Sequence, residues 1–344
     1  MELIRTVDAV GHVLCHDITQ IIPGVIKGPV FKKGHIVREE DIPVLLSCGK
    51  EYLYVWEKRE GILHEDEAAE ILKNICIGDS HMFTCTEPSE GKIEIRAAHR
   101  GLFRIDRGAL NRVNALGVMM IASVHGDTPV DVGDKLAATR IIPLVIEEAK
   151  MTAAVAAAGE TPIFDILPFI HHRVGIVTTG NEVYSGRIED KFGPVLREKL
   201  SVYDTEVISQ IFVPDGTDSI KGAIEELIAE DAEMILVSGG MSVDPDDRTP
   251  ADIKASGADI VTYGAPILPG AMFLLSYLDH KDRTIPIMGL PGCVMYARRT
   301  VFDLILPRVL AGERLTAEDI SIYGEGGLCL GCDICTFPRC GFGK

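Results

Sequence analysis

The stretch VSGGMSVDPDDRTPADI, Val237 to Ile253, closes an apolar run on Gly239 and Gly240 and then carries Asp244, Asp246 and Asp247 ahead of Thr249-Pro250. Small residues let backbone N–H groups approach an anion, and a helix N-terminus adds positive potential. Carboxylates beside such a site repel phosphate unless a divalent cation stands between them. Mg²⁺, held by one or two carboxylates and by substrate oxygens, resolves that conflict. The stretch therefore reads as a metal-assisted phosphate or oxyanion site, with an ordinary acidic surface loop as the plain alternative. Thr249 suits an N-cap and Pro250 the first helical position, and Asp252 stands where a capping-box acid belongs, which gives it a structural role.

Two more stretches repeat the pattern. TTGNEVYSGRIED places Glu182 after a glycine, with Asp190 further on, and GLPGCVMY supplies Gly289 to Gly292 ahead of the helical run CVMYARRTVFDLILPRVL. The end of the chain is different: Cys329, Cys332, Cys335 and Cys340 are spaced C-x2-C-x2-C-x4-C. Four thiols so close read as a metal site, either an iron–sulfur cluster or zinc. The successive x2 gaps favour iron–sulfur. Free thiols in a loose tail are the alternative. His171 and His172 are adjacent on a predicted strand and so point to opposite faces, a poor ligand pair.

These loops need elements to hold them. From His172 onward, apolar runs (RVGIVTTG, TEVISQIFVPD, EMILVSGG, DIVTYGA, MFLLSYL, TIPIMGL) alternate with helical ones (PVLREKLSVY, TDSIKGAIEELIAED, TPADIKASG). That alternation predicts an α/β fold, a mostly parallel sheet sandwiched by helices, with ligands beyond the carboxyl ends of the strands. The N-terminal half predicts a β-rich α+β arrangement, with helices over REEDIPVLLSCGK, EDEAAEILKNI and GALNRVNAL. The expected organisation is a β-rich domain over 1–60, a mixed α+β segment over 61–160 ending in the Ala-rich MTAAVAAAGETP, the α/β domain over 170–312, and a Cys-rich tail over 313–344.

The net charge of −17 argues against binding to nucleic acid or anionic membrane, since phosphate backbones attract Lys and Arg. Trp56 and the tyrosines form no stacking array for single strands. Lys27, Lys32, Lys33 and His35 make a local basic stretch that could take a small anion or simply be a solvated loop. No basic-then-apolar leader and no apolar run of membrane length is present, which predicts a cytoplasmic protein without a membrane span.

Taken in order, GNE…GRIEDKFGPVL, SGGMSVDPDDRTP, PILPGAM and MGLPG resemble the molybdopterin-binding domain of molybdenum cofactor biosynthesis proteins, molybdopterin molybdenumtransferases in particular, over about residues 170–312. The opening AVGHVLCHDI is similar to the start of such enzymes. The resemblance implies an enzyme, in most cases a homodimer, that inserts molybdate into adenylated molybdopterin with Mg²⁺-assisted release of AMP. A recipient molybdoenzyme or another cofactor-biosynthesis protein is the implied partner. It implies Glu182, Asp190 and Asp247 as catalytic carboxylates, with Asp247 and Glu182 on Mg²⁺. It implies a pterin pocket made by Thr179, Gly180, Ser238, Gly239, Gly240, Ser242, Pro269, Gly270, Gly289, Leu290, Pro291 and Gly292.

The chain departs from that pattern. Ala271-Met272 replaces the lysine of PGKP, Cys293-Val294 replaces Asn-Pro after GLPG, and Asn181 replaces the Asp before Glu182. These losses point to a second reading, a molybdopterin-binding carrier or sensor without turnover. DDRTPAD also resembles the adenylyltransferase branch, a third reading. Cys293 reads as a small packing residue.

Overall fold

The computed structural model describes residues 2–22, 26–55, 60–214, 217–241 and 248–344. Ser242, Asp244, Asp246, Asp247 and Trp56 lie outside the described residues. The chain divides into two compact units. One is Met1–His99, Ile105–Val124 and Val132–Asp165; the other is Arg100–Arg104, His125–Asp131 and Ile166–Lys344.

In the first unit, Glu2–Arg5 pairs antiparallel with Tyr52–Val55, and Ile18–Ile22 with Ile26–Phe31. Ala9, Leu14, Ile18, Val37, Leu45 and Leu53 form their small core. A four-stranded antiparallel sheet follows, ordered Phe83–Cys85, Lys92–Ala97, Lys135–Ile141, Met119–Ser123, and the helix Glu65–Ile77 packs on it. That helix starts on a reciprocal cap. The His64 ring accepts from the Asp66 N–H at 3.1 Å, and the Glu67 carboxylate accepts from the His64 N–H at 3.0 Å.

The second unit is built on one six-stranded sheet. Its strands are β1 (His172–Thr179), β2 (Thr205–Val213), β3 (Met234–Ser238), β4 (Asp259–Tyr263), β5 (Leu274–His280) and β6 (Arg283–Leu290), in the order β2-β1-β3-β6-β5-β4. The first four in that order run parallel. β5 runs antiparallel to the rest, because β5 and β6 form a hairpin turned at Lys281 with φ +53°, and β4 pairs antiparallel with β5. The sheet is therefore mixed, with the parallel part carrying the helical crossovers.

Strand apolarity has a two-sided cause. Val174, Ile176, Met234, Leu236, Leu275 and Met288 face one core with the helices Phe192–Leu200 and Val301–Leu310. Val177, Ile235, Val237, Leu274 and Ile287 face another with the helices Thr217–Ala229 and Thr249–Ala255. Gly175 lies where a Cβ would come 2.7 Å from Leu227 Cδ1, so the absent side chain sets how closely that helix lies on β1.

One helical expectation fails. CVMYARRTVFDLILPRVL is not a single helix: Gly292–Met295 is a short 3₁₀ turn, and the α-helix begins at Val301. Thr300 caps it through a full capping box with Asp303, whose carboxylate also accepts from Lys199 Nζ at 2.8 Å and Arg299 Nη1 at 2.9 Å. The strength of that cap ends the helix there and leaves Arg298 and Arg299 in a loop.

Candidate functional site

Register brings the glycine loops together. Thr178 stands opposite Ser238, Ser238 opposite Leu290, and Gly289 opposite both Val237 and Leu274. β1, β3 and β6 therefore end in one row. β5 runs the other way, so the loop that enters it, with Pro269-Gly270, reaches the same edge. The result is a cleft of about 610 Å³ lined by Gly239, Gly240, Pro269, Gly270, Pro291 and Gly292. Phe192, Met241, Met272 and Tyr296 give it apolar walls. Ala271 and Cys293 line it too, and none of its described lining residues is charged.

The glycines are required by contact. At Gly239, φ is +93°, and a Cβ would lie 2.5 Å from Thr179 Oγ1 and 2.6 Å from the Thr179 carbonyl oxygen. At Gly240, φ is +58°, and a Cβ would lie 2.5 Å from Thr249 Oγ1. The Thr249 hydroxyl donates to the Gly239 carbonyl at 2.9 Å, which ties the start of the helix to the Gly-Gly turn. Thr249 is thus the first helical residue and not the cap, since its hydroxyl is turned back to that turn. Asp252 is fully buried in the same helix.

Other predicted residues sit at the rim or behind the cleft. Thr179 and Ser238 are buried at the strand ends. Thr179 Oγ1 has no hydrogen-bond partner among the described residues. Gly180, with φ +132°, leads into the one-turn helix Asn181–Tyr184, on which Glu182 is exposed. Gly289 and Leu290 form the last rungs of β6. The Asp190 carboxylate is engaged: it accepts from the Phe192 N–H at 2.8 Å, the Gly193 N–H at 3.1 Å and Gln210 Nε2 at 2.7 Å. Gln210 Nε2 also reaches Thr178 Oγ1 at 3.0 Å, so Asp190 fastens the start of the Phe192–Leu200 helix to β1 and β2. Sequence reasoning missed Gln210, because its place on β2 opposite Ile176 comes from strand pairing. Burial pushes the Cys293 thiol above its ordinary value, so it is a packing group in the cleft wall and not a ready thiolate.

Among the described residues, no group of three or more His, Cys, Asp or Glu is placed to hold a metal ion. For Mg²⁺ this leaves Glu182 on an exposed turn, with Asp247 outside the described residues. For the tail it gives no support to the expected iron–sulfur or zinc site. Cys329, Cys332, Cys335 and Cys340 do line one cavity of about 520 Å³ with Arg298 and Arg299. Cys329 and Cys340, however, pack with Phe337 against the apolar core, while Cys332 and Cys335 are exposed. The tail is strapped to the cleft wall: the Leu268 N–H donates to Gly327 O and the Cys329 N–H to Leu268 O, both at 2.8 Å. His171 pairs with Asp204 at 3.1 Å, and His172 Nδ1 contacts Ile170 O at 2.8 Å. No described helix is long and apolar enough to cross a membrane.

The second unit is thus a helix-covered α/β domain whose strand-end loops gather around one ligand-sized cleft. Residues 175–311 match the family described as probable molybdopterin binding domain. Residues 3–57 match a family described only as a domain of unknown function. The chain is 26% identical over 161 residues to a molybdopterin molybdenumtransferase of Synechococcus elongatus, covering 44% of this chain and 38% of that protein. It is 35% identical over 81 residues to a CinA-like protein of a Mycobacterium species, covering 24% of this chain and 19% of that one. It therefore spans well under half the length of these relatives. The solved structure of the tungsten cofactor synthesizing protein MoaB from Pyrococcus furiosus is similar at TM-score 0.32 and 22% identity, over 36% of this chain and 84% of that one.

Proposed function

We propose that this protein acts in molybdenum cofactor biosynthesis by holding molybdopterin, free or adenylated, in the 610 Å³ cleft, and that molybdate is inserted there with release of AMP. One observation carries the reading: the glycine loops that follow β3 and β6 and the one that enters β5 meet in one cleft, inside the segment that matches the molybdopterin-binding family. The volume lies in the ordinary range for small-molecule sites. Phe192, Met241, Met272 and Tyr296 offer apolar surface to a planar pterin. The glycines let backbone N–H groups come close to phosphate.

A second reading, a carrier that binds the pterin without turnover, is favoured by Ala271-Met272 and by the uncharged described lining. A phosphate or molybdate there has no described cation beside it to stabilise charge developing in a transition state. One experiment separates these readings. The full chain is mixed anaerobically with molybdopterin or its adenylated form; binding is followed by pterin fluorescence and AMP by chromatography after molybdate and Mg²⁺ are added. Binding with AMP release supports insertion. Binding without release selects the carrier. ATP consumption with free molybdopterin identifies an adenylyltransferase, and no binding of either pterin refutes the proposal.

A further inference from the structure

The first unit has its own cavity, of about 130 Å³, lined by His16, Asp17, Lys33, Glu65, Asp66 and Glu90. Glu65 is 7% exposed, and its carboxyl makes no hydrogen bond or ion pair among the described residues. A buried acid of that kind calls for a partner the chain does not supply. The neighbouring groups are already committed. Lys33 Nζ donates to Asp66 Oδ2 at 2.7 Å and contacts His64 Nδ1 at 2.9 Å. Asp66 Oδ1 accepts from the Gly91 N–H at 3.0 Å, and Asp17 accepts from the Lys33 N–H at 2.7 Å. His16, on the same cavity, has its Nδ1 buried without a partner among the described residues.

We infer that this cavity binds a small primary ammonium group, with the Glu65 carboxylate as counter-ion and Glu90 as a further acceptor. An ammonium has three N–H donors and needs three acceptors around a compact charge. Water occupies about 30 Å³ per molecule, so the cavity has room for about four waters, or for methylammonium or the tip of a longer alkylamine. The electrostatics agree. Burial first, then Asp66 and Glu90, push Glu65 up to about 7 against the pull of Arg140 and Lys33. Burial, with Lys50 and His64, holds His16 below its ordinary value against Asp17 and Glu90, which disfavours a second cation on the cavity wall. An ammonium in the cavity would offset the cost of ionising Glu65.

The test uses the full chain with ¹³C-methylammonium as probe, followed by NMR line broadening and thermal shift at constant ionic strength. Saturable binding is expected, stronger at pH 8 than at pH 6. Glu65→Gln, checked for folding by circular dichroism, should weaken it by about tenfold or more. Glu90→Gln should weaken it less. Absence of saturable binding overturns the inference, as does binding unchanged in E65Q. Equal binding of tetramethylammonium, which has no N–H donors, or tighter binding of Mg²⁺ or Ca²⁺ at the same site, also overturns it.

Discussion

Gly239→Ala tests whether the Gly-Gly turn is fixed by packing. Gly239 has φ +93°, and an added Cβ would lie 2.5 Å and 2.6 Å from the hydroxyl and carbonyl oxygens of Thr179. The backbone conformation alone costs an alanine about 1–3 kcal/mol. The contact adds about 1–3 kcal/mol, because the carbonyl is backbone at the end of a central strand and cannot swing aside. We expect G239A to destabilise the second unit by about 3 kcal/mol and by no less than about 2 kcal/mol. Gly292 is the control. It lines the same cleft, but its φ is not positive and a Cβ there meets nothing within 4 Å. G292A should leave stability within about 0.5 kcal/mol, or raise it slightly. Urea unfolding followed by far-UV circular dichroism measures both, with m-values compared to wild type. The same two proteins then separate folding from binding: G292A should weaken molybdopterin binding with stability intact. A G239A midpoint within about 0.5 kcal/mol of wild type would refute the packing argument.

Glu65 gives a pH prediction. Its carboxyl rises from the ordinary 4.5 to about 7 on folding, so the folded state holds the proton more tightly. The associated stability is fully present below 4.5 and is lost as pH rises through 7, by up to about 3 kcal/mol. E65Q does not titrate, so its stability relative to wild type should grow from pH 5 to pH 8; a constant difference across that range would count against the burial account. In the tail, the Phe337 N–H and then Arg299 pull the Cys335 thiol below its ordinary value, whereas burial pushes Cys15 and Cys76 up. At pH 7 iodoacetamide should therefore alkylate Cys335 before either of them, and Arg299→Gln should slow that step; peptide mapping by mass spectrometry reads both.

The sequence by itself determined the second unit's class. Apolar strands such as Val174–Val177 and Met234–Val237 alternate with helices, and only strands covered on both faces can be so uniformly apolar. It also marked the glycines that sit at strand ends, because no other residue tolerates both the positive φ and the contact at Gly239. These are local signals, carried by the residue and its immediate neighbours. Tertiary structure decided the rest. Strand register, which pairs residues tens of positions apart, put Gly239, Pro269 and Pro291 into one cleft. The pairing of β2 beside β1 brought Gln210 to Asp190 and gave that carboxylate three donors. The capping box at Thr300 cut short a helix that composition alone extended through Arg298 and Arg299. The tail's regular cysteine spacing did not reveal how differently the side chains are buried: Cys329 and Cys340 pack toward the core while Cys332 and Cys335 are exposed, and all four line one cavity. Spacing along a chain fixes which side chains are near in sequence, but where each one points is set by the burial of its neighbours.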